Sequence, residues 1–112
     1  MPDKSLVTPF AHQVYSACRK VPKGRVVTYK GLAILLGKPG ASRAVGNALH
    51  RNPYAPEVPC HRVIRSNGQV GGFAGGKARK LRLLREEGIV IKDGRIDLKK
   101  YLYNFKPTKN LP

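Results

Sequence analysis

"RVVTYKGLAILLGKPGASRAVGNALHRNP", residues 25–53, decides how this chain folds. Apolar residues recur twice in it at helical spacing, with a glycine-bearing turn between the two runs. Thr28 offers a hydroxyl to the unpartnered backbone N–H groups of a helix over 29–36. Gly37 ends that helix, and "GKPG" supplies the turn. A second helix starts near Ser42, carries Ala44, Val45, Ala48 and Leu49, and stops at Asn52-Pro53, where proline disfavours helix in the residue before it. Ala44, Gly46 and Ala48 are small, so another surface can approach closely. This is the pattern of a helix-turn-helix, whose second helix lies against DNA. Short helix pairs with glycine turns also occur in proteins that never touch DNA.

Toward the N-terminus, "PFAHQVYSACRKV" places Phe10, Val14, Ala17, Cys18 and Val21 near one helical face, with Pro9 in the first turn. Cys18 on that stripe reads as a small core residue. Toward the C-terminus, prolines 53, 56 and 59 exclude regular helix and make a stiff loop that delivers Cys60 to a fixed place. "RVIRSNGQVGGF" then reads as a strand, an Asn67-Gly68 turn and a return strand. A glycine-rich loop and a helix follow, "KARKLRLLREEG", with Ala78, Leu81 and Leu84 inward. "IVIKDGRIDL" reads as a hairpin or two short strands turning at Asp93-Gly94. The expected fold is thus a small α/β domain, mainly helical, with a winged-helix-like helix-turn-helix and a short β-hairpin or sheet. It spans 1–98, and a basic tail over 99–112 has no recognisable cap or period and is expected to be mobile at its end.

A chain of 112 residues suits one domain, and 41% hydrophobic residues suit a folded one. Charge is the outlier: 22 Lys and Arg against 6 Asp and Glu give a formal +16. Such self-repulsion favours a polyanionic partner, nucleic acid before an anionic membrane. A basic-then-apolar leader and a membrane-spanning run are both missing, so the expected compartment is the cytoplasm, or the nucleus if eukaryotic. Cys18 and Cys60 are not expected to pair there, and two cysteines without C-x-x-C spacing make a poor zinc site. No metal and no cofactor are expected, and the expected state is a monomer.

"VPCHRVIRSNG" frames Cys60 with His61 and Arg62. A thiol becomes nucleophilic when its thiolate is favoured, and a histidine oriented by a carboxylate can do that. Neighbouring side chains diverge, so His61 would act through water, with Glu86 or Glu87 behind it. By spacing alone a structural histidine and a core cysteine remain open.

"PCHRVI", with "VTYKGLA", "RAVGNALHRNP" and "GGFAGG", resembles the O6-alkylguanine-DNA alkyltransferase family, over about residues 10–91. The resemblance implies a repair protein that flips an alkylated guanine out of duplex DNA and moves the alkyl group irreversibly to a cysteine, once per molecule. It implies Cys60 as alkyl acceptor, His61 as water-mediated base, Glu87 as the acid behind it, and Asn52 as a hinge bonding the active-site loop. Tyr29 would contact the flipped nucleotide, and Arg43 would fill the vacated stack. Ser42, Ala44, Asn47 and Arg51 would face the DNA. Tyr29, Pro59, Val63, Phe73, Ala74 and Gly75 would form the base pocket, with backbone carbonyls near Cys60 and Val63 holding the guanine amino group.

Two features depart from the family pattern. Ala74 stands where serine is common, and few residues precede the first helix, so the additional N-terminal domain of many members is expected to be missing. This is the size of the alkyltransferase-like proteins, which bind lesions without repairing them. Those carry tryptophan at the cysteine position, so "PCHR" favours transfer. A basic regulator without chemistry is the third alternative.

Overall fold

The computed structural model describes residues 7–55, 57–73 and 76–105. Helices α1 (Pro9–Arg19), α2 (Tyr29–Leu35) and α3 (Ser42–His50) pack on one another, and α2–α3 is the helix-turn-helix. Helices α4 (Lys77–Glu86) and α5 (Leu98–Tyr101) follow. Two short strand pairs complete a small, mostly helical domain: β1 (Val27–Thr28) beside β2 (Val63–Ile64), and β3 (Ile91–Lys92) beside β4 (Arg95–Ile96).

Local chemistry sets the helix starts. Thr8 Oγ1 accepts from Ala11 N at 3.1 Å, and Thr28 Oγ1 accepts from Gly31 N at 2.9 Å. Each oxygen satisfies a donor the helix itself cannot. On α1 the buried face is Ala11, Val14, Tyr15, Ala17 and Cys18, and Phe10 packs at its edge. Val45 and Leu49 turn α3 into the same core, where Tyr15 Oη donates to the Ala48 carbonyl at 2.6 Å. Burial raises the Tyr15 phenol above its ordinary pKa, so it stays a donor. Cys18 is fully buried and free, and burial pushes its thiol up to about 12, which makes it inert core.

Three expectations are corrected. The Asn67-Gly68 turn forms, with Gly68 N on Arg65 O at 2.9 Å and Arg65 N on Gln69 O at 2.9 Å, but the strands beyond it do not pair with each other. Instead β2 runs parallel to β1, Val27 opposite Val63, with α2, α3 and the proline loop as the crossover. The return segment joins the β3–β4 hairpin through Gln69 opposite Arg95 and Ile96 N on Gly68 O at 2.8 Å. Only glycine fits at 68: φ is +87°, and a Cβ would stand 2.8 Å from Ile96 O.

Ala78 is exposed, and the inward face of α4 is Lys80 and Leu84 with Leu81 packed beside them. Residues two apart on a helix lie about 200° apart, so a helix that buries position 80 exposes position 78. Nor does the expected tail begin at 99. Asp97 Oδ1 caps α5 by accepting from Lys99 N at 3.0 Å, and Tyr101 is buried. Leu102 bridges to Val26, and Tyr103 and Phe105 pack on the main core. The cap was there to be read, but a four-residue helix has no period. Residues 106–112 lie outside the described ones.

Candidate active site

Cys60 opens a single 3-10 turn, Cys60–Arg62, at the end of the proline loop. Cys60 N donates to Val58 O at 2.8 Å and Arg62 N to Pro59 O at 2.9 Å. Asn52 fixes the loop to the end of α3: its Nδ2 donates to Val58 O at 2.9 Å, and its Oδ1 accepts from Tyr54 N at 2.8 Å. One side chain thus ties the recognition helix to the loop carrying the thiol, at the position expected for the hinge.

His61 points inward and is buried. Its Nε2 lies 2.7 Å from Glu87 Oε2. Arg62 grips the same carboxylate with two hydrogen bonds, Nε to Oε1 at 2.9 Å and Nη2 to Oε2 at 2.8 Å, and its Nη1 donates to Val21 O at 2.8 Å. Burial pushes the Glu87 carboxyl upward, but the hydrogen bonds from Arg62 and His61 outweigh it and hold the acid below its ordinary pKa. Burial likewise dominates at His61; Glu87 pulls its pKa up, yet the ring stays below the ordinary histidine value. Near neutral pH the pair is therefore a carboxylate and a neutral imidazole. The short contact to an ionised acid assigns the ring proton to Nε2 and leaves Nδ1 as a lone-pair base.

A cavity of about 530 Å³ opens beside Cys60, lined by Tyr29, Gly46, Asn47, Leu49, His50, Cys60, Gly72 and Phe73. It lies between the start of α2, one face of α3 and the glycine loop. Of the expected pocket residues, Tyr29 and Phe73 line it. Pro59 and Val63 are buried and do not, and Ala74 and Gly75 lie outside the described residues. Asn47 lines the cavity from α3. Arg43, Ala44 and Arg51 are exposed and Ser42 is half-buried, away from the cavity lining. His50 and Leu49 are lining residues that the sequence does not mark as such.

Lys80 is a residue bordering the site that sequence reasoning missed. It is completely buried, and its Nζ donates to Val63 O at 2.7 Å, Gly72 O at 3.0 Å and Tyr29 Oη at 3.4 Å. The ammonium ties strand β2, the glycine loop and the cavity tyrosine into one unit. It also occupies the Val63 carbonyl expected to hold a guanine amino group. Burial lowers its pKa to about 8, while the nearby Cys60 acts the other way. Burial, with a lesser contribution from Cys60, raises Tyr29, which remains a phenol donor. The available signal is that Lys80 lies one turn before Leu84 on the inward face, but among so many lysines spacing cannot single it out.

In Lys80→Met the two carbonyls lose a charged donor, worth roughly 1.5–3 kcal/mol each, and the cavity rim loosens. Because the folded pKa of about 8 lies below the unfolded 10.5, the unfolded chain holds more protons between these values. Wild-type stability should therefore gain on that of Lys80→Met as pH rises through this window, as read by denaturant melts. A pH-independent difference would mean that Lys80 keeps its charge throughout.

Residues 9–89 match the family model described as 6-O-methylguanine DNA methyltransferase, DNA binding domain, and the chain belongs to this family. It is 52% identical over 84 residues to the methylated-DNA–protein-cysteine methyltransferase of Salmonella typhimurium, covering 75% of this chain and 49% of that protein. The chain thus spans about half the length of that curated relative. Among solved structures, S. pombe Atl1 in complex with damaged DNA containing O6-carboxymethylguanine matches with TM-score 0.77 and 33% identity, over 85% of this chain and 94% of Atl1. Mycobacterium tuberculosis OGT in complex with DNA matches with TM-score 0.70 and 44% identity, over 72% and 49%.

Proposed function

We propose that this protein binds duplex DNA containing O6-alkylguanine, flips the damaged base into the cavity beside Cys60, and transfers the alkyl group irreversibly to the Cys60 sulfur. The observation that carries this reading is the hydrogen-bonded series Arg62–Glu87–His61, which orients a neutral imidazole on the residue directly after Cys60, itself a half-buried lining residue of the cavity. Its parts have distinct roles. Glu87 holds Nε2–H, and Nδ1 takes the thiol proton through water. The thiolate attacks the alkyl carbon, so the S–C bond forms as the C–O6 bond breaks. The electron pair passes to the guanine ring, which takes up a proton in place of the one the thiol gave. Tyr29, which lines the cavity, supplies a hydrogen bond from its phenol to that ring in this reading.

Stoichiometry is the test. With lesion duplex in excess, product should level off at no more than one alkyl group per protein. Turnover beyond that would contradict a thioether end point.

The exposed Arg43 near the start of α3 is assigned to the vacated space in the base stack. Unstacking costs a few kcal/mol per base. Arg43→Ala should therefore slow duplex repair by roughly tenfold or more, and leave transfer from free O6-benzylguanine nearly unchanged. Equal loss in both assays would assign Arg43 to the fold or the cavity.

A second reading, a lesion-binding protein without transfer, is favoured by the match to nearly the whole of Atl1. Cys60 argues against it.

A further inference from the structure

We propose that the phosphate-binding surface does not end at the helix-turn-helix, and that Arg65 and the β3–β4 hairpin form a second arm that grips the same duplex beyond the flipped base. This rests on the DNA-binding reading above and extends it to residues which the family pattern does not assign.

The track starts at the cavity rim. A Cβ built on Gly71 would stand 3.2 Å from Cγ of Arg65 and 3.7 Å from the Tyr29 ring, so the arginine stem and the cavity tyrosine flank the same glycine. Arg65 is exposed, and its Nη1 reaches Gln69 Oε1 at 3.2 Å, leaving its other donors available. The same Gln69 Oε1 also accepts from Asn67 Nδ2 at 3.2 Å, and Gln69 pairs antiparallel with Arg95. Arg95 lies opposite Lys92 in the hairpin register, and both are exposed. Three cations are thereby strung from the cavity rim to the hairpin on a hydrogen-bonded backbone. Asp93 and Asp97 are the nearest acids by sequence, each two residues from Arg95, and two carboxylates do not cancel three positive groups.

The backbone here is rigid enough to place charge. Asp93 at φ 52° and Gly94 at φ 73° make a tight two-residue turn. Gly68 is locked against Ile96. The continuity with the base cavity identifies the polyanion: the strand whose base enters beside Tyr29 carries its neighbouring phosphates past Arg65.

The experiment is a fluorescence-anisotropy titration of lesion duplex over a series of salt concentrations, using the full chain. It compares wild type with Arg65→Gln, with Lys92→Gln/Arg95→Gln, and with a charge-matched pair on the outer face of α4, Arg82→Gln/Arg85→Gln. Each phosphate contact contributes roughly 0.9 to the slope of log K against log salt, so the hairpin pair should flatten the slope by about 2 and weaken binding roughly tenfold or more in dilute buffer. Arg65→Gln should show about half that flattening. The α4 pair removes the same charge without the contacts and should change the slope by less than half as much. Equal losses for the hairpin and α4 pairs would reduce the effect to net charge and overturn the inference. So would hairpin and Arg65 variants that superimpose on wild type. Failure of wild type itself to bind duplex would instead overturn the DNA-binding reading. Melting temperatures of all variants, measured alongside, separate lost contacts from lost fold.

Discussion

Cys60→Ser is expected to abolish alkyl transfer, by roughly a thousandfold or more, while duplex binding persists. An alcohol is almost wholly protonated near neutral pH, and a neutral imidazole cannot compensate for so weak a nucleophile. Exchanging sulfur for oxygen alters one atom of the cavity lining and leaves α3 and the basic surface untouched, which is why binding should survive. Cys18→Ser supplies the control. Cys18 is sealed in the core with its thiol raised to about 12, so its replacement should cost some stability and no chemistry. Single-turnover kinetics on lesion duplex, with anisotropy in parallel, read both quantities. Substantial transfer by Cys60→Ser would remove the cysteine from the reaction.

Glu87→Ala is expected to damage both fold and chemistry. The carboxylate receives His61 and two hydrogen bonds from Arg62, and all three side chains are largely shielded from solvent. Removing one partner of such a cluster leaves the others desolvated and unpaired, at a cost of roughly 3–5 kcal/mol. Glu87→Gln keeps the shape and part of the hydrogen bonding, so it should cost less while still loosening the tautomer assignment of His61. The sign of the pH dependence follows from the shifts. The Glu87 carboxyl is held below its ordinary value, so its contribution to stability is present above the unfolded pKa and fades as pH falls through the folded one. His61 is also lowered, so between its folded and unfolded values the unfolded chain binds more protons. Both effects make wild type lose stability as pH drops, His61 from about 6.5 downward and Glu87 further below. Glu87→Ala should lose the carboxylate's share of that acid sensitivity. Acid melts of the two proteins check this, and identical curves would mean that the cluster is not ionised as described. His61→Phe should slow transfer near neutral pH, with the loss shrinking toward alkaline pH as hydroxide takes over proton removal.

The legible parts of this molecule were those written in local chemistry. The helix-turn-helix followed from Thr28, Gly37 and Asn52-Pro53, and the observed bounds of α2 and α3 fall close to the expected ones. The β3–β4 hairpin followed from Asp93-Gly94. Cys18 followed from its place on an apolar stripe. Pairings between distant segments were not legible. β1 and β2 are two residues each and meet across an intervening helix-turn-helix, and a pair so short leaves no alternation to read. The segment 62–73 reads as a self-contained hairpin because of its Asn67-Gly68 turn; in the structure its first strand pairs with β1 and only its return segment joins the 91–96 hairpin.

At the site, His61 and Glu87 were matched through the resemblance, and the structure places them in contact. Arg62 grips the same carboxylate that His61 uses. Both uses occur together, because one carboxylate has enough lone pairs for a histidine and an arginine. Lys80 remained hidden because burying an ammonium contradicts the ordinary rule for lysine, and only the convergence of two carbonyls and a phenol makes it tolerable.

The most direct measurement is the intact mass of the protein after incubation with excess duplex bearing O6-methylguanine, followed by digestion to locate any added group. The predicted result is the gain of one methyl group in place of one hydrogen, confined to the peptide carrying Cys60, with guanine restored in the DNA. An unchanged mass from protein that binds the lesion duplex would contradict transfer and leave lesion binding as the function.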